Sequence, residues 1–250
     1  MRFATRWGLS ALGVFFLFGG WEALGRLGLV STTLLPLPST LPDAWMQEVR
    51  GGWWLAAVQN SLSHYLAGVA IGSVLGIVLG LLCGAAPVFE ALQAWVARIL
   101  RPIPGLAWIP FAIVWFGITP AAATFVIAIS VFWINYFTAW SAVQAVSKDL
   151  LEVACAFGHG SFLGRMRKVI LPACVPAILG GVRTGLGQGW MAVVAAELFG
   201  VPGVGARMMQ AASLLATEIV VVYMLTMALL YGVTDVLTLA LRRRLLGWQP

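Results

Sequence analysis

The chain has 250 residues, of which 61% are hydrophobic and 10% charged, and its mean hydropathy is +0.94. A soluble domain carries about a quarter charged residues, so this composition excludes an ordinary soluble enzyme and a disordered segment. The net charge of +6 does not indicate a nucleic-acid binder, because the basic residues are scattered and form no run interleaved with aromatics. What remains is an all-α polytopic membrane protein. Cys83, Cys155 and Cys174 lie far apart, with no CxxC and no histidine at ligand spacing, and read as small packing residues.

A bilayer core about 30 Å thick takes about 20 apolar residues of helix, and six stretches meet or approach that length. The first, 7–30, is interrupted by Glu22 and Arg26. Its arginine-containing start also fits a secretory signal peptide, whose removal would place the termini on opposite sides. Residues 30–60 form a polar connection with Leu35-Pro36-Leu37-Pro38-Ser39 and a short helix over 42–49, where Asp43 suits the dipole of the first turn. The second stretch, 61–85, contains no charge and carries Gly68, Gly72, Gly76, Gly80 and Gly84. Every fourth residue of a helix returns to nearly one face, so these glycines make a bare groove for close helix packing or for sliding between states.

The third stretch is marked by Pro102, Pro104 and Pro110 and ends near residue 118; the fourth runs over 121–146 with Asn135, Tyr136, Thr138 and Ser141 as hydrogen-bonding groups. The loop 147–172 is too long for a hairpin and too apolar for a linker. It predicts helix, glycine break, helix, with Leu151, Ala154, Cys155 and Phe157 giving the first helix an apolar face and Arg165, Arg167 and Lys168 in the second. Such an element fits either a partner's groove or the lipid headgroup layer.

The fifth stretch follows Pro172 and reaches about residue 199. Arg183 lies eleven residues beyond Pro172, about 16 Å along a helix, near mid-membrane. An arginine at that depth is costly unless paired or wetted. Arg183, Trp190 and Glu197 recur at steps of seven and share a stripe, with Gly181, Gly185 and Gly189 roughly opposite. The stripe reads either as structural ion pairing to other helices or as a pathway in which Arg183 is a way-station for an anion; Gln188 is open to both. A turn-rich segment, 200–217, precedes the sixth stretch, 217–241.

With the N-terminus inside, the inner side collects Arg2, Arg6, Arg98, Arg101, Lys148, Arg165, Arg167, Lys168, Arg242, Arg243 and Arg244, and the outer side Arg26, Arg50 and Arg207. Eleven against three is a strong positive-inside bias, placing both termini in the cytoplasm.

Glu152-x-Ala154-x-x-x-Gly158, followed by an apolar-x-Leu171-Pro172 ending, resembles the EAA loop of permease subunits in binding-protein-dependent ABC importers. The run Leu100-Arg101-Pro102-Ile103-Pro104-Gly105-Leu106-Ala107-Trp108-Ile109-Pro110, then Trp115-Phe116-Gly117, is similar to the sulfonate, nitrate and taurine branch. So is Gly181-Val182-Arg183 leading through Gly187 and Trp190 to Val194-Ala195-Ala196-Glu197. The likeness covers about residues 60–240. It implies a type I ABC importer permease fold, a single transmembrane domain over 1–250, and a place in the bacterial inner membrane. It also implies that Glu152, Ala154, Gly158, Leu171 and Pro172 couple the chain to a cytoplasmic ATPase. Arg183, Trp190, Glu197 and Asn135 become pathway candidates for a small anion, with taurine or another aliphatic sulfonate first and nitrate second.

Implied partners are a second copy, two ATPase subunits holding ATP and Mg, a periplasmic or lipid-anchored binding protein seated on 30–60 and 200–217, and membrane lipid. Three departures stand out: the segment from Gly158 to Pro172 is one residue longer than the family pattern, Val153 replaces an alanine, and His64 stands where arginine is common.

The chain's two lysines, Lys148 and Lys168, precede Asp149 and Val169, so no P-loop exists and ATP hydrolysis falls to a separate subunit. No cofactor is expected in this chain. His64 reads as a packed polar residue and His159 as a solvated one; without HExxH or a Ser–His spacing, an intramembrane protease is disfavoured. Two rivals remain. A secondary transporter or channel would need coupling groups near the midplane and no docking loop. A non-transporting scaffold would leave the loop without purpose.

Overall fold

The computed structural model describes residues 3–245, with side chains described from residue 8 apart from those of 10, 11 and 245. Arg2 and the side chain of Arg6, two of the residues in the charge comparison, lie outside the description. Eleven α-helices occupy the described range. They are α1 (Phe3–Arg26), α2 (Leu41–Arg50), α3 (Trp53–Ala85), α4 (Pro87–Leu100), α5 (Ile109–Phe116), α6 (Pro120–Gln144), α7 (Lys148–Ala156), α8 (Phe162–Arg165), α9 (Leu171–Glu197), α10 (Val204–Ser213) and α11 (Thr217–Leu245). Short 3-10 turns precede α2 and α5, and a π-helical segment, Met166–Ile170, joins α8 to α9. Proline occupies the first or second position of α2, α4, α5, α6 and α9, where its missing N–H costs nothing and its fixed φ starts the turn.

Among the described residues four helices are long and apolar enough to cross a membrane: α3, α6, the continuous run Phe162–Glu197, and α11. The third expected stretch is not a straight span. It is a pair, Pro87–Leu100 and Gly105–Phe116, bent by 89°, and counting the pair as one span raises the total to five. Pro102 and Pro104 cause the break: neither has an N–H to donate, so the helical ladder cannot continue through them, and Pro104 itself is extended at φ −65°, ψ 146°. Of the first expected stretch, 7–30, α1 covers the part up to Arg26, and it is not among the four that meet the length and hydropathy test among the described residues.

The centre of the bundle is α6, held between α3 and α9. A Cβ placed on Gly72 or Gly80 of α3 would strike the carbonyl oxygens of Ala128 and Tyr136, and one on Gly76 would lie 2.6 Å from that of Phe132. Gly68 and Gly84 face the side chains of Ile127 and Val143 just as closely, at 2.6 and 2.7 Å. From α9, Gly181 and Gly185 face Thr138 (2.7 Å) and Asn135 (2.9 Å), while Gly189 faces Val69 of α3 (2.9 Å). In lipid the apolar surfaces of helices gain little by leaving their solvent, so this backbone-level contact supplies much of the association.

Two ends result, named inner and outer after the sides the sequence assigns them. At the inner end, α7 and the π segment pack on the ends of α3 and α6 and the start of α9, around Val143, Ile170 and Cys174. At the outer end, α2 and α10 pack on the starts of α3 and α11.

The close contacts predict a contrast. Gly72→Ala sets a methyl against a carbonyl that has no rotamer to escape into, and should destabilise the bundle by ~1–3 kcal/mol. Gly180→Ala meets nothing within 4 Å and should be neutral or stabilise by up to about 1 kcal/mol through helix propensity. Thermal midpoints of the detergent-solubilised protein, read by size exclusion after heating, check both.

Candidate functional site

The inner loop is built from local rules. Ser147 caps α7, its Oγ accepting the Asp149 N–H at 3.2 Å. The helix ends on Gly158 in the left-handed region, φ +83°. The His159 N–H bonds back to the Ala154 carbonyl at 2.8 Å and the Gly158 N–H to that of Cys155 at 3.1 Å, a Schellman closure. Ser161 then caps α8 through the Gly164 N–H at 3.1 Å. The π segment after α8 closes i→i+5 rings, one residue more than α-helical ones.

The face that α7 presents differs from expectation. Leu151 turns inward against Val143, Ile170 and Cys174, and Ala154 is buried. The outward face is Leu150, Val153 and Phe157, the last 78% exposed, flanked by Glu152. Positions 150, 153 and 157 share one helical face. The hydrophobic residues nearest in pattern to a docking face were thus divided: the bundle takes one set as an anchor and leaves the other free. Phe162 and Leu163 of α8 extend the exposed surface, as does Leu171 at the start of α9; Pro172 is exposed and Cys155 is a free exposed thiol.

Arg183, on the fifth stretch, has a partner that the sequence reading missed. Its Nε and Nη2 donate to Asp235 Oδ1 and Oδ2 at 2.7 and 3.0 Å, a bidentate pair between α9 and α11. The two side chains are 41% and 21% exposed. A single aspartate inside the apolar sixth stretch was the available signal. Trp190 sits one layer outward: it stacks on Tyr65 at 4.1 Å, and its indole N–H donates to Thr234 at 3.1 Å. Beside it an apolar cavity of about 340 Å³ opens between α9 and α11, lined by Gly187, Met191, Val194, Met227 and Tyr231 among others.

Glu197 and Asn135 do not join this surface. Asn135 is buried, donating to Ser73 Oγ and the Val131 carbonyl, both at 3.2 Å. Glu197 is fully enclosed at 0% exposure. Its carboxylate accepts Ser61 Oγ (2.8 Å) and the Gly205 N–H (2.9 Å), and His64 Nδ1 lies 3.0 Å away in donor position. Ser61 in turn accepts the Val204 N–H at 2.8 Å. The stripe of three is therefore divided: Arg183 faces the surface, Trp190 is an inter-helix wedge, and Glu197 ties α9 to α3 and α10. His64 is a packed residue, as its position suggested.

The two outer segments expected to meet a binding protein are joined. Arg207 of α10 donates twice to Glu48 of α2 (2.7 and 2.9 Å), and the Tyr223 hydroxyl donates to the same carboxylate at 2.7 Å. Arg207 also lies over the Trp53 ring at 4.9 Å. Burial opposes its charge, but the bonds to Glu48 outweigh that, so its hold on its proton rises.

Residues 72–247 match the family described as binding-protein-dependent transport system inner membrane component. The putative aliphatic sulfonates transport permease protein SsuC of Bacillus subtilis (strain 168) is 33% identical over 92% of this chain and 83% of its own. The taurine transport system permease protein TauC of Escherichia coli (strain K12) is 29% identical over 91% and 85%. Among solved structures, an inward-facing form of the MetNI methionine ABC transporter superposes with a TM-score of 0.68 at 19% identity, over 79% of this chain and 98% of that one, a likeness of fold.

Removing the enclosed carboxylate tests the outer knot. Glu197→Ala strands Ser61, His64 and the Gly205 N–H, and should cost ~3–5 kcal/mol. Tryptic cleavage after Arg207 should accelerate by at least about tenfold, while Glu197→Gln, which keeps the shape, should fall between. Unchanged cleavage in the alanine variant would contradict the assigned role.

Proposed function

The chain belongs to the family of binding-protein-dependent transport system inner membrane components, and from that premise we propose how it works and what it carries. As a member it is the multi-pass transmembrane permease subunit of an ABC importer, a non-catalytic part whose ATPase and binding protein are separate. Two copies frame the pathway, with both termini in the cytoplasm. Two ATPase subunits, holding ATP and Mg, dock on α7 and α8, and the binding protein seats on the tied segments α2 and α10.

One observation carries the docking reading: α7 is clamped by Leu151 and Ala154 on one side and shows Leu150, Val153 and Phe157 beside Glu152 on the other. A short helix that is rigid on its inner face and apolar on its outer face suits a partner's groove. Because α7 packs on the starts of the π segment and α9, its displacement is passed to the helix that holds Arg183.

The cargo is a small organic anion of the sulfonate class, with taurine first and nitrate second. Support comes from the named substrates of similar proteins and from Arg183, a cation on a face that retains exposure. A pathway site must release as well as bind, and an arginine already shared with Asp235 binds an anion weakly.

Co-purification with an ATPase encoded beside the gene tests the docking. Phe157→Asp and Gly158→Val, the latter straining a residue at φ +83°, should each lower recovery of the ATPase by about tenfold or more, with the permease itself still monodisperse. Accumulation of taurine by vesicles holding the chain alone and no ATP would defeat the reading. For the cargo, Arg183→Gln should cut uptake of taurine by the assembled transporter about tenfold, and R183D/D235R, which restores a pair with reversed sense, should recover stability without recovering uptake. Recovered uptake would make the pair purely structural.

A further inference from the structure

At the inner end a second cavity, polar and of about 390 Å³, lies between α4 and the inner half of α6. Arg98 of α4 and Arg101 at its C-cap line it, with Tyr136, Trp140 and Ser141 of α6. Tyr136 is 2% exposed, and neither its hydroxyl nor the buried indole N–H of Trp140 has a hydrogen-bond partner. Buried donors left this way are uncommon and costly, and they point to an acceptor that belongs there. The arginines are free as well: neither lies within 4.0 Å of a carboxylate among the described residues. Arg101 rests over the Phe137 ring at 4.3 Å and Arg98 over Trp95 at 5.3 Å, contacts that leave their N–H groups available. Glu90 is the one acidic lining residue.

We infer that this cavity binds a monoanionic oxyanion group, a phosphodiester or a sulfonate, between Arg98, Arg101 and the two unpartnered donors. Two guanidinium charges against one carboxylate leave the site one positive charge in excess, which a monoanion neutralises and a dianion overshoots. The available donors, two guanidinium forks, a phenol, an indole, the Gln93 amide and a serine hydroxyl, outnumber the acceptors, Glu90 and the Gln93 carbonyl oxygen, and so favour an acceptor-only ligand over a cation.

Two sources carry that chemistry. The opposite face of α4 exposes Val88, Leu92, Trp95 and Ile99, an apolar stripe at helical spacing on which acyl chains would lie, and basic pockets at the inner face of membrane helices suit phospholipid headgroups. The other source is free sulfonate, which rests on the cargo proposed above.

The full-length chain, delipidated in detergent, is titrated with phosphatidylglycerol and with phosphatidylcholine and read by native mass spectrometry, with sodium ethanesulfonate as competitor. The anionic lipid should bind about tenfold or more tightly over the zwitterionic one. R98Q/R101Q should abolish that preference, and Tyr136→Phe, which removes one oxygen and keeps the ring, should weaken it about threefold to tenfold. Displacement by ethanesulfonate assigns the site to free anions; persistence assigns it to lipid. Preference unchanged in Tyr136→Phe and in the arginine variant, or no binding of either probe to the wild-type chain, overturns the inference. Since no ATPase or binding protein is present, failure here is separate from failure of the importer reading.

Discussion

Contact between backbones, α3 on one side of α6 and α9 on the other, is the constraint from which the rest is hung. Its glycines are not a uniform smooth strip. Those of α3 each meet a particular group of α6, the carbonyls of Ala128, Phe132 and Tyr136 among them. A slip of α3 by one residue would carry a side chain into that backbone, so relative motion can proceed only by separation or by whole helical turns. The interface therefore fixes the register of three helices, and with it where the inner loop and the outer segments emerge.

Polar groups within the spans follow from the same geometry. The cap position of α10 is Gly203, which supplies no side-chain bond. The orphaned N–H groups of Val204 and Gly205 are instead taken by Ser61 and Glu197. A carboxylate enclosed in the bundle thus does the work of an N-cap from another helix, aided by the positive end of the α10 dipole. No small residue other than glycine fits there, since a Cβ on Gly203 would collide with the Glu197 carboxyl and one on Gly205 would lie 2.6 Å from the Val194 carbonyl.

Legibility in the sequence tracked the range of the interaction. Period-four glycines and the glycine break at Gly158 are local signals, and each corresponds to a visible feature of the structure. The 89° bend between α4 and α5 was marked by Pro102 and Pro104 but read as a decorated span, because proline shows where a helix breaks and not where the chain then goes. The face of α7 was misjudged for a different reason. Two apolar sets alternate along nine residues, and only the position of Val143 and Cys174 decides which is buried. Asp235 and Ser61 as partners of Arg183 and Glu197 are contacts between distant segments, which no local pattern encodes.

The enclosed and half-exposed charges make opposite demands on what surrounds the chain. Glu197 asks for nothing further. Arg183 and Asp235 neutralise each other, yet 41% and 21% of their surfaces stay open at the middle of α9, twelve residues from Leu171 and fourteen from Glu197. A charge facing hydrocarbon at that depth costs at least ~2.5–3.5 kcal/mol, and an ion pair reduces that cost without removing the desolvation of its exposed edge. The α9–α11 face is therefore poorly suited to lipid and well suited to protein or water. The apolar cavity beside it, under the exposed side chain of Met191, completes a surface that is half greasy and half charged. That is the composition expected where two copies meet around a wetted passage, and it is why the pathway proposed for this permease is placed against α9 and α11 in preference to the lipid-compatible outer faces of α3.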